Sequence, residues 1–323
     1  MNTFRQRFLK IAAAVLVLCL AFGVLGATPR TRSDVEESAL LSAEYSQTDE
    51  RQTATNEASE QPELRVTNIA VPEVEEDGDF SAPAESCYCN RAYAGSYRFY
   101  EGELYVCAQD VFSALDSSAR FSEQDDMLTV QAGDITVQAE YGQDYFISNN
   151  RYLYAPAGVI KADDGVYLPA ESVARCFGGT LELDEENERL NIIANHVEPL
   201  QDGNEFYNED DVYWLSHIIY SEAGAESFMG QIAVGNVVMN RVSNAYFKEA
   251  TIKDVIFAEG QFDPVANGSI DLTPSDSAVA AAKVALEGDM VVSEDTLFFA
   301  VFQFPGAYVC TGWIGNHCFM ALA

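Results

Sequence analysis

Helical spacing of apolar residues is the main pattern in the last third of the chain. In the stretch "VYWLSHIIYSEAG", one face of the predicted helix carries three apolar residues and one acid, namely Leu215, Ile218, Ile219 and Glu222. The acids at 209–211 favour the positive end of a helix dipole, and Gly224 is free to adopt the left-handed conformation that ends a helix. Glu222 is therefore expected on the buried stripe, in the last turn.

This position has a consequence for the charge of Glu222. Partial burial disfavours the ionised form, and the negative end of the helix dipole does the same, so the pKa of Glu222 is expected to be raised. A general acid needs this property. The alternative is a carboxyl group that simply reaches solvent past its apolar neighbours.

A second helix is predicted directly afterwards, in "ESFMGQIAVGNVVMNRV". Its apolar face follows the same spacing, with one polar exception: Met229, Ile232, Ala233, Asn236 and Val237. Glu226, at or just before the first turn, faces the positive end of the dipole and is expected to stay ionised. Two carboxyls with diverging pKa values are typical of acid and base pairs, although plain helix capping explains Glu226 equally well.

Two more helices carry clear end signals. "TIKDVIFA" begins with Thr251 as N-cap and has Asp254 three residues later. "TPSDSAVAAAKVALEG" has Thr273 as N-cap, Pro274 at the first helical position and Gly288 as terminator. The stretch between them, "GQFDPVANGSI", is rich in turn formers and is predicted to be a loop. "TLFFAVFQF" and "GAYVCTGWIGNHCFM" alternate as strands, so this region is predicted to be mainly helical with a small β-sheet.

The middle of the chain contains an internal repeat. "YVCAQDVFSALDSSARFSEQDDMLTVQ", from Tyr105, aligns without a gap with "YLPAESVARCFGGTLELDEENERLNII", from Tyr167, at an offset of 62 residues. Each unit is predicted to contain a short strand, a helix of about two turns, a turn and two short strands with alternating apolar residues. We expect the two units to share one sheet.

Composition narrows the classes of partner. The chain has 323 residues, of which 48% are hydrophobic, and this is enough for two modest cores. The 18 basic residues against 51 acidic ones leave a formal charge of -33. Such a charge argues against binding to phosphate backbones or to anionic lipid, so nucleic acid is not expected as a partner.

The first residues predict export. Arg5, Arg7 and Lys10 precede an uncharged stretch at 11–27, which is the layout of a secretory signal. An uncleaved membrane anchor is the alternative, since the apolar run is about as short as a span of ~20 residues allows. The acidic, polar composition of residues 28–87 predicts a disordered linker.

Six cysteines remain after export: Cys87, Cys89, Cys107, Cys176, Cys310 and Cys318. An even count in an exported chain permits disulfides, and a bond between the last two would close a small loop, but the spacing leaves the connectivity open. Zinc is not expected, because the chain has three histidines and no C-x2-C or H-E-x-x-H spacing. We therefore expect no cofactor and no metal.

The repeat region resembles a known accessory domain. "DGVYLPAESVARCFGGTLELDEENERLNI" is similar to the small module named after the N-terminal, or stalk, domain of copper amine oxidases, and the resemblance covers residues 88–196. It implies a surface-exposed spacer or wall-contact domain on exported bacterial proteins. It does not imply copper, because no histidine lies between residues 1 and 195.

The C-terminal region, residues 205–323, resembles the cell-wall hydrolase family that includes the spore cortex-lytic enzymes. The resemblance is carried by "IIYSEAGAESFMGQIAVGNVVMNRV", "GQFDPVANGSIDLTPSDSAVAAAKVALEG" and "IGNHCF". It implies an α+β multidomain protein, in which the stalk domain precedes a catalytic domain similar in fold to lysozyme-like lytic transglycosylases. The family's catalytic glutamate lies in a Y-x-E-A motif, which corresponds to Glu222. Many members read E-A-R-G-E where this chain reads E-A-G-A-E, so the motif arginine is absent here.

The resemblance also implies a substrate and a mechanism. A neutral Glu222 would protonate the glycosidic oxygen of a β-1,4 linkage in peptidoglycan. A lytic transglycosylase needs only this carboxyl, whereas a hydrolase needs a second one, for which Glu226 is the secondary candidate. Four residues match the family's loop and terminal motifs and are candidates to line or support the sugar groove: Gln261, Phe262, Asn316 and His317. The alternatives are a core position for Phe262 and a structural turn at Asn316 and His317.

A second function class stays open. A non-catalytic cell-surface protein that binds wall glycan or a partner would keep the same fold. The missing arginine favours this hypothesis, and the retained Glu222 opposes it. Spore cortex or growing wall as the substrate, an accessory wall or spore protein, and membrane attachment through the N-terminal segment are all compatible with the sequence.

Overall fold

The computed structural model describes residues 86–323, except for residues 185, 195–196 and 248–250. The predicted signal or anchor at 1–27 lies outside the described residues, as does nearly all of the predicted linker. The last two linker positions, Ser86 and Cys87, belong to the first strand that the structure describes. In the described part of the chain, no helix has the length and apolar character needed to cross a membrane.

The first region, residues 86–193, contains strands and two helices. The strands are β1 (Ser86–Cys89), β2 (Ala92–Tyr100), β3 (Glu103–Cys107), β4 (Arg120–Gln124), β5 (Met127–Ala132), β6 (Ile135–Glu140), β7 (Tyr145–Ser148), β8 (Arg151–Tyr154), β9 (Ile160–Ala162), β10 (Gly165–Pro169), β11 (Thr180–Asp184) and β12 (Arg189–Ile193). The helices are α1 (Ala108–Leu115) and α2 (Ala170–Cys176). One sheet has the order β11-β12-β1-β2-β3-β10-β9, and the other has the order β4-β5-β6-β7-β8.

The two repeat segments have the same order of elements, β3-α1-β4-β5 and β10-α2-β11-β12. Their first strands pair antiparallel, with Val106 opposite Leu168. The expectation of one shared sheet holds for β3, β10, β11 and β12 and was wrong for β4 and β5, which belong to the five-stranded sheet. Two-residue turns with positive φ at both positions, as at Asp125 and Asp126, favour tight hairpins and keep this sheet together as a meander.

One large apolar cluster contains residues of both sheets and both helices. Phe112 of α1 and Phe177, which follows α2, are fully buried, with ring centroids 4.7 Å apart. Leu128 and Phe146 of the five-stranded sheet belong to the same buried cluster as Val106 of the other sheet. The first region is therefore held together by burial of apolar area rather than by the pairing of its strands alone.

The second region, residues 203–322, is built from helices and one small sheet. The helices are α3 (Gly203–Phe206), α4 (Glu209–Ala223), α5 (Phe228–Ser243), α6 (Ile252–Phe257), α7 (Asp263–Asn267) and α8 (Asp276–Leu286), with a 3-10 turn at Ser269–Asp271. The strands β13 (Thr296–Ala300), β14 (Tyr308–Ile314) and β15 (His317–Leu322) form an antiparallel sheet with β15 in the centre. Helix α8 packs against both α4 and α5.

The structure corrects several predicted helix ends. Gly224 follows α4 with φ −62°, in the right-handed and not the left-handed region. The N-cap of α8 is Ser275 and not Thr273, so this helix starts two residues later than predicted. Thr251 caps α6 through the backbone N–H of Asp254, which confirms that prediction.

Three further predictions concern the loop after α6, the buried face of α5 and the end of α8. The segment predicted to be a loop contains α7 and the 3-10 turn, because Pro264 pre-sets the helical φ at the start of α7. Met229 of α5 is 44% exposed, whereas the four other predicted inward positions of that helix are buried. Gly288 follows α8 with φ +88°, a conformation that glycine adopts readily, and it ends the helix as predicted.

A buried cluster of charges joins the two regions, and we call it the Glu287 clasp. The Glu287 side chain, directly after α8, is 0% exposed and accepts hydrogen bonds from Arg151 of β8 (2.7 Å) and Arg175 of α2 (2.8 Å). The hydroxyl of Tyr207 donates to the same carboxylate. Arg175 also pairs with Asp289 at 3.1 Å. The clasp therefore links elements of both regions through one buried carboxylate.

Candidate functional site

Helix α4 places Glu222 in its last turn, with Leu215, Ile218 and Ile219 fully buried on the same face. The helix starts at Asn208, whose side chain accepts hydrogen bonds from the backbone N–H groups two and three residues later. Glu222 itself is partly buried. Its position at the edge of an apolar stripe is the one that the sequence predicts.

Three hydrogen bonds of Ser221 and His217 fix the turn that carries Glu222. The Ser221 hydroxyl lies 2.9 Å from the carbonyl of Ser269 and 2.8 Å from that of His217, both as acceptors. The Nδ1 atom of His217 donates to the carbonyl of Ile270 over 2.7 Å. Because the carbonyls of Ser269 and Ile270 belong to the 3-10 turn after α7, the last turn of α4 is anchored to the segment that also carries Asp263.

The surroundings of Glu222 favour its protonated form. Burial raises the pKa of Glu222 from 4.5 to about 7, the negative charge of Asp263 adds to this effect, and the positive charge of Arg241 opposes it. Among the described residues, no group donates a hydrogen bond to the Glu222 carboxylate. A carboxyl group with a pKa near neutrality can both give and take a proton.

Arg241 acts on Glu222 through its charge and makes its own contacts elsewhere. Its Nε donates to the carbonyl of Leu297 at 2.8 Å, and its Nη1 lies 3.4 Å from the side-chain oxygen of Gln261. Its guanidinium also lies over the ring of Phe262, 4.8 Å from the ring centre. The structure therefore brings Arg241, Gln261 and Asp263 to the neighbourhood of Glu222. Sequence reasoning missed Arg241 and Asp263, although an arginine in the apolar run "NVVMNRV" was a usable signal.

Phe262 lies in the core of the second region and is 6% exposed. Its ring packs against Phe299 of β13, with the ring centres 6.4 Å apart, as well as against Arg241. This is the core position that the sequence left as the alternative. A ring so deeply buried offers no face to a sugar, so Phe262 does not line the groove, and support of the groove is the candidate role that is left.

Glu226 does not cap α5. The N-cap is Ser227, whose hydroxyl accepts from the N–H of Gly230, whereas the Glu226 carboxylate accepts from the backbone N–H (3.1 Å) and side-chain N–H (2.8 Å) of Asn316. These bonds, the side-chain one first, lower the pKa of Glu226, so it is ionised at neutral pH. Gly315 makes this approach possible, since a Cβ there would collide with the carboxylate.

His317 opens β15 and is buried, with its ring 5.2 Å from that of Phe299 in an edge contact. Burial lowers the pKa of His317, and the charge of Glu226 opposes that effect. Its Nδ1 atom has no hydrogen-bond partner among the described residues. Glu226, Asn316 and His317 thus form a second group, which fastens the β14–β15 turn to the start of α5.

The six cysteines of the described region are free thiols. The sulfur atoms of Cys310 and Cys318 lie 2.7 Å apart across the β14–β15 hairpin. Across the described ranges, no group of three histidine, cysteine or acidic side chains is placed to hold a metal ion.

Two family models match separate parts of the chain. The model for the copper amine oxidase N-terminal domain matches residues 95–192, and the model for cell wall hydrolase matches residues 225–320. The second match begins three residues after Glu222. The role of Glu222 therefore depends on its own surroundings and on its motif.

Spore cortex-lytic enzymes are among the similar curated proteins. The enzyme of Bacillus cereus is 38% identical over 82 residues, which are 25% of this chain and 31% of that enzyme. The enzyme of Oceanobacillus iheyensis is 34% identical over 108 residues, 33% of this chain and 37% of the relative. The chain thus spans about a third of the length of the curated relatives it matches.

Two solved structures are also similar. The catalytic domain of the Bacillus cereus SleB protein is 30% identical, with 35% of this chain and 91% of that one covered, at a TM-score of 0.32. The catalytic domain of the germination-specific lytic transglycosylase SleB from Bacillus anthracis is 29% identical, with 38% and 99% covered, at a TM-score of 0.33. From the two family matches, the C-terminal part of this chain belongs to the cell wall hydrolase family, and a copper amine oxidase N-terminal domain precedes it.

Proposed function

We propose that this protein is a peptidoglycan-cleaving enzyme, a lytic transglycosylase in which Glu222 is the general acid and base. The observation that carries the proposal is the setting of Glu222, a partly buried carboxyl group with a pKa raised to about 7. The family match and the names of the similar enzymes support glycan strands of the wall as the substrate.

A single carboxyl is sufficient for this reaction. Protonated Glu222 gives its proton to the glycosidic oxygen as the bond to the sugar ring breaks and positive charge develops on the ring. The resulting Glu222 carboxylate then takes the proton of a hydroxyl group on the same sugar as that oxygen attacks the ring carbon. The product carries an internal anhydro bridge, and Glu222 returns to its protonated form.

Asp263 and Arg241 tune these two steps in opposite directions. The charge of Asp263 keeps Glu222 protonated before the first step, and the charge of Arg241 stabilises the carboxylate that the first step leaves behind. Arg241 acts on Glu222 through its charge, while its Nε donates to the carbonyl of Leu297 and its Nη1 lies near Gln261. Both are positioning residues in this scheme.

The surroundings of Glu226 support the single-carboxyl mechanism. Its oxygens are engaged by Asn316, and its pKa is lowered, which suits a structural anion better than a base that must bind water. Glu226 stays the candidate second carboxyl should the enzyme prove to be a hydrolase. Gln261 and Asn316 are exposed, and we place them along the sugar groove, with His317 and Phe262 supporting it from below.

The remaining architecture follows from the same proposal. Residues 1–27 would direct the protein out of the cell or anchor it there, and residues 28–87 would be the linker. Residues 88–196 would form the stalk-like domain, built from two copies of one unit. Residues 205–323 would form the mainly helical, lysozyme-like catalytic domain. The similar enzymes are called spore cortex-lytic, so spore cortex is a candidate substrate beside vegetative wall. An accessory wall or spore protein would be a further partner.

Product analysis tests the proposal. The full chain is incubated with purified cortex and with vegetative peptidoglycan, and the released fragments are identified by mass spectrometry. Anhydro-muropeptides should appear with at least one substrate and should disappear in Glu222→Gln. Glu209→Gln, the same change at an exposed position of α4, is the matched control and should cleave normally.

Other outcomes assign a different function. Fragments with reducing ends would show a hydrolase and make Glu226 the second carboxyl. Sedimentation of the protein with the wall, without any released fragment, would support the non-catalytic surface protein that the missing motif arginine favours.

A further inference from the structure

Two cysteines face each other across the hairpin at the end of the chain. Cys310 lies on β14 and Cys318 on β15, and their sulfur atoms are 2.7 Å apart. The two sulfurs of a disulfide bond lie about 2.05 Å apart, so a small side-chain movement would bring this pair to bonding distance. The pairing of the two strands shifts register between Cys310 and Gly312, and such bulges re-aim the side chains beside them.

The strands around the pair are held firmly. The Thr311 hydroxyl, at the bulge, donates to the carbonyl of Phe319 at 3.2 Å and lies 3.1 Å from the hydroxyl of Thr296 on β13. All three strands of the sheet are thereby connected beside the thiols. The closeness of the two sulfurs is a property of the sheet and does not depend on a mobile loop.

The two thiols differ in their access to solvent. Cys310 is partly exposed on an edge strand, whereas Cys318 is buried in the central strand. Burial, and then the neighbouring Cys310, raise the pKa of Cys318 to about 12, so Cys318 is a poor first nucleophile. The four other cysteines that the structure describes are buried. Within that part of the chain, a reagent therefore meets Cys310 first.

We infer that Cys310 and Cys318 form a modification site, which a small-molecule disulfide oxidises to an intrachain disulfide bond. The Cys310 thiolate attacks one sulfur of the reagent, forms a mixed disulfide and releases the first reagent thiol. Cys318 then loses its proton and attacks the Cys310 sulfur, which releases the second reagent thiol. The two cysteines lose two electrons and two protons in total, and the reagent gains them.

The bond would close the hairpin around its turn. That turn contains Gly315 and Asn316, and Asn316 binds the Glu226 carboxylate at the start of α5. Oxidation therefore removes conformational freedom of the unfolded hairpin and keeps the Asn316 contact in place. Disulfides of this kind persist in the oxidising surroundings of exported proteins.

Peptide mapping tests the site without any measurement of wall cleavage. The full reduced chain is treated with oxidised glutathione, the remaining thiols are alkylated in denaturant, and the protein is digested with chymotrypsin. Cleavage after Trp313, which is 56% exposed in the folded protein, separates the two cysteines, so the expected product is a linked pair of peptides. The intact mass should fall by about 2 Da, the mass of the two hydrogens lost.

Two variants control the result. Cys310→Ser removes the exposed thiol and should leave Cys318 fully alkylated, whereas Val309→Ala, at an exposed position of the same strand, should still form the linked peptides. Oxidation should also raise the Tm of the unaltered protein and leave that of Cys310→Ser unchanged. Alkylation of both cysteines after oxidant treatment would overturn the inference. A bond from either one to another cysteine or to a second copy of the chain would do the same.

Discussion

Two glutamates in the described part of the chain, Glu287 and Glu222, are shielded from water and lie near an arginine. Their carboxyl groups differ in the hydrogen bonds that they accept. In the Glu287 clasp, both carboxylate oxygens receive hydrogen bonds, from two arginines and a tyrosine. At Glu222, the nearby Arg241 directs its donors to a backbone carbonyl and to Gln261. The first carboxylate is held in ion pairs with two arginines, and the second has a raised pKa.

The difference shows that the direction of the donors matters more than the presence of a positive charge. Burial disfavours an ionised carboxyl by removing water, and only hydrogen bonds or a close counter-charge offset that loss. Glu287 has both, and it connects the two regions of the molecule. Glu222 has a counter-charge at a distance, partly cancelled by Asp263, and it can exchange a proton near neutral pH.

The largest expected effect separates the two glutamates by activity. Glu222→Gln should lower the rate of wall cleavage by roughly 10²- to 10⁴-fold, because the proton donor and acceptor is lost. Glu287→Gln should cleave at nearly the normal rate at temperatures where it is folded. The measurement is the rate of release of soluble muropeptides, and equal losses in the two variants would contradict the distinction.

The next effect concerns stability. Glu287→Gln should lower the free energy of unfolding by about 3 to 5 kcal/mol, since it leaves Arg151 buried without its ion pair. The Arg151 side chain is only 8% exposed, so water cannot replace the lost partner. Urea denaturation followed by circular dichroism measures the change. The exposed Glu294→Gln is the control, and a similar small change in both variants would show that the clasp is dispensable.

The change from glutamate to glutamine at position 222 should raise the free energy of unfolding, whereas the change at Glu287 lowers it. The pKa of Glu222 is about 7 in the folded protein, and its ordinary value is 4.5. Glu222 therefore destabilises the folded protein when it is ionised. This loss of stability is absent below pH 4.5 and complete above about pH 7. Glu222→Gln should therefore raise the free energy of unfolding by about 1 to 3 kcal/mol at pH 8, and by little at pH 4. Urea denaturation at both pH values tests this, with exposed Glu209→Gln as the control. A gain that does not depend on pH would refute the explanation.

The smallest effect is a shift in pH dependence. Asp263→Asn removes the negative charge that helps to keep Glu222 protonated, so the fall in kcat/KM with rising pH should begin at a lower pH. In the proposed mechanism, the unaltered protein should lose activity as the pH rises through about 7. The measurement is the pH profile of wall cleavage. An unchanged profile would separate Asp263 from the chemistry, and Asp271→Asn, on the neighbouring 3-10 turn, provides the comparison.

Local patterns predicted much of this fold. The spacing of apolar residues in α4 placed Glu222 on the buried side of the last turn, and end signals such as Thr251 marked true helix starts. The repeat predicted the order of elements in the first region but not the second sheet. The turn at Asp125 and Asp126 favours the hairpin of β4 and β5. The strands that pair with this hairpin depend on contacts along the whole chain.

Long-range contacts lie outside the reach of such patterns. The clasp joins Arg151 to a residue 136 positions away, and the bond between Glu226 and Asn316 spans 90 positions. Glu226 is an example. Its place before α5 suggested a helix cap, but in the structure its carboxylate binds Asn316 of the β14–β15 turn. Side-chain partners of this kind are chosen by packing, which one sequence does not encode in any local period.

The parallel pairing of β1 with β12 has a mechanical consequence. Ser86 lies beside Arg189 and Cys89 beside Ile192, so the first region is entered and left along two adjacent strands that run in the same direction. The Asn90 side chain adds two bonds, to the backbone N–H and carbonyl of Ala194. A pull that separates the two ends of this region loads all these bonds at once, in shear, and does not open them one by one. If the chain is anchored at one end, as the proposed architecture implies, these bonds would keep the first region folded under tension.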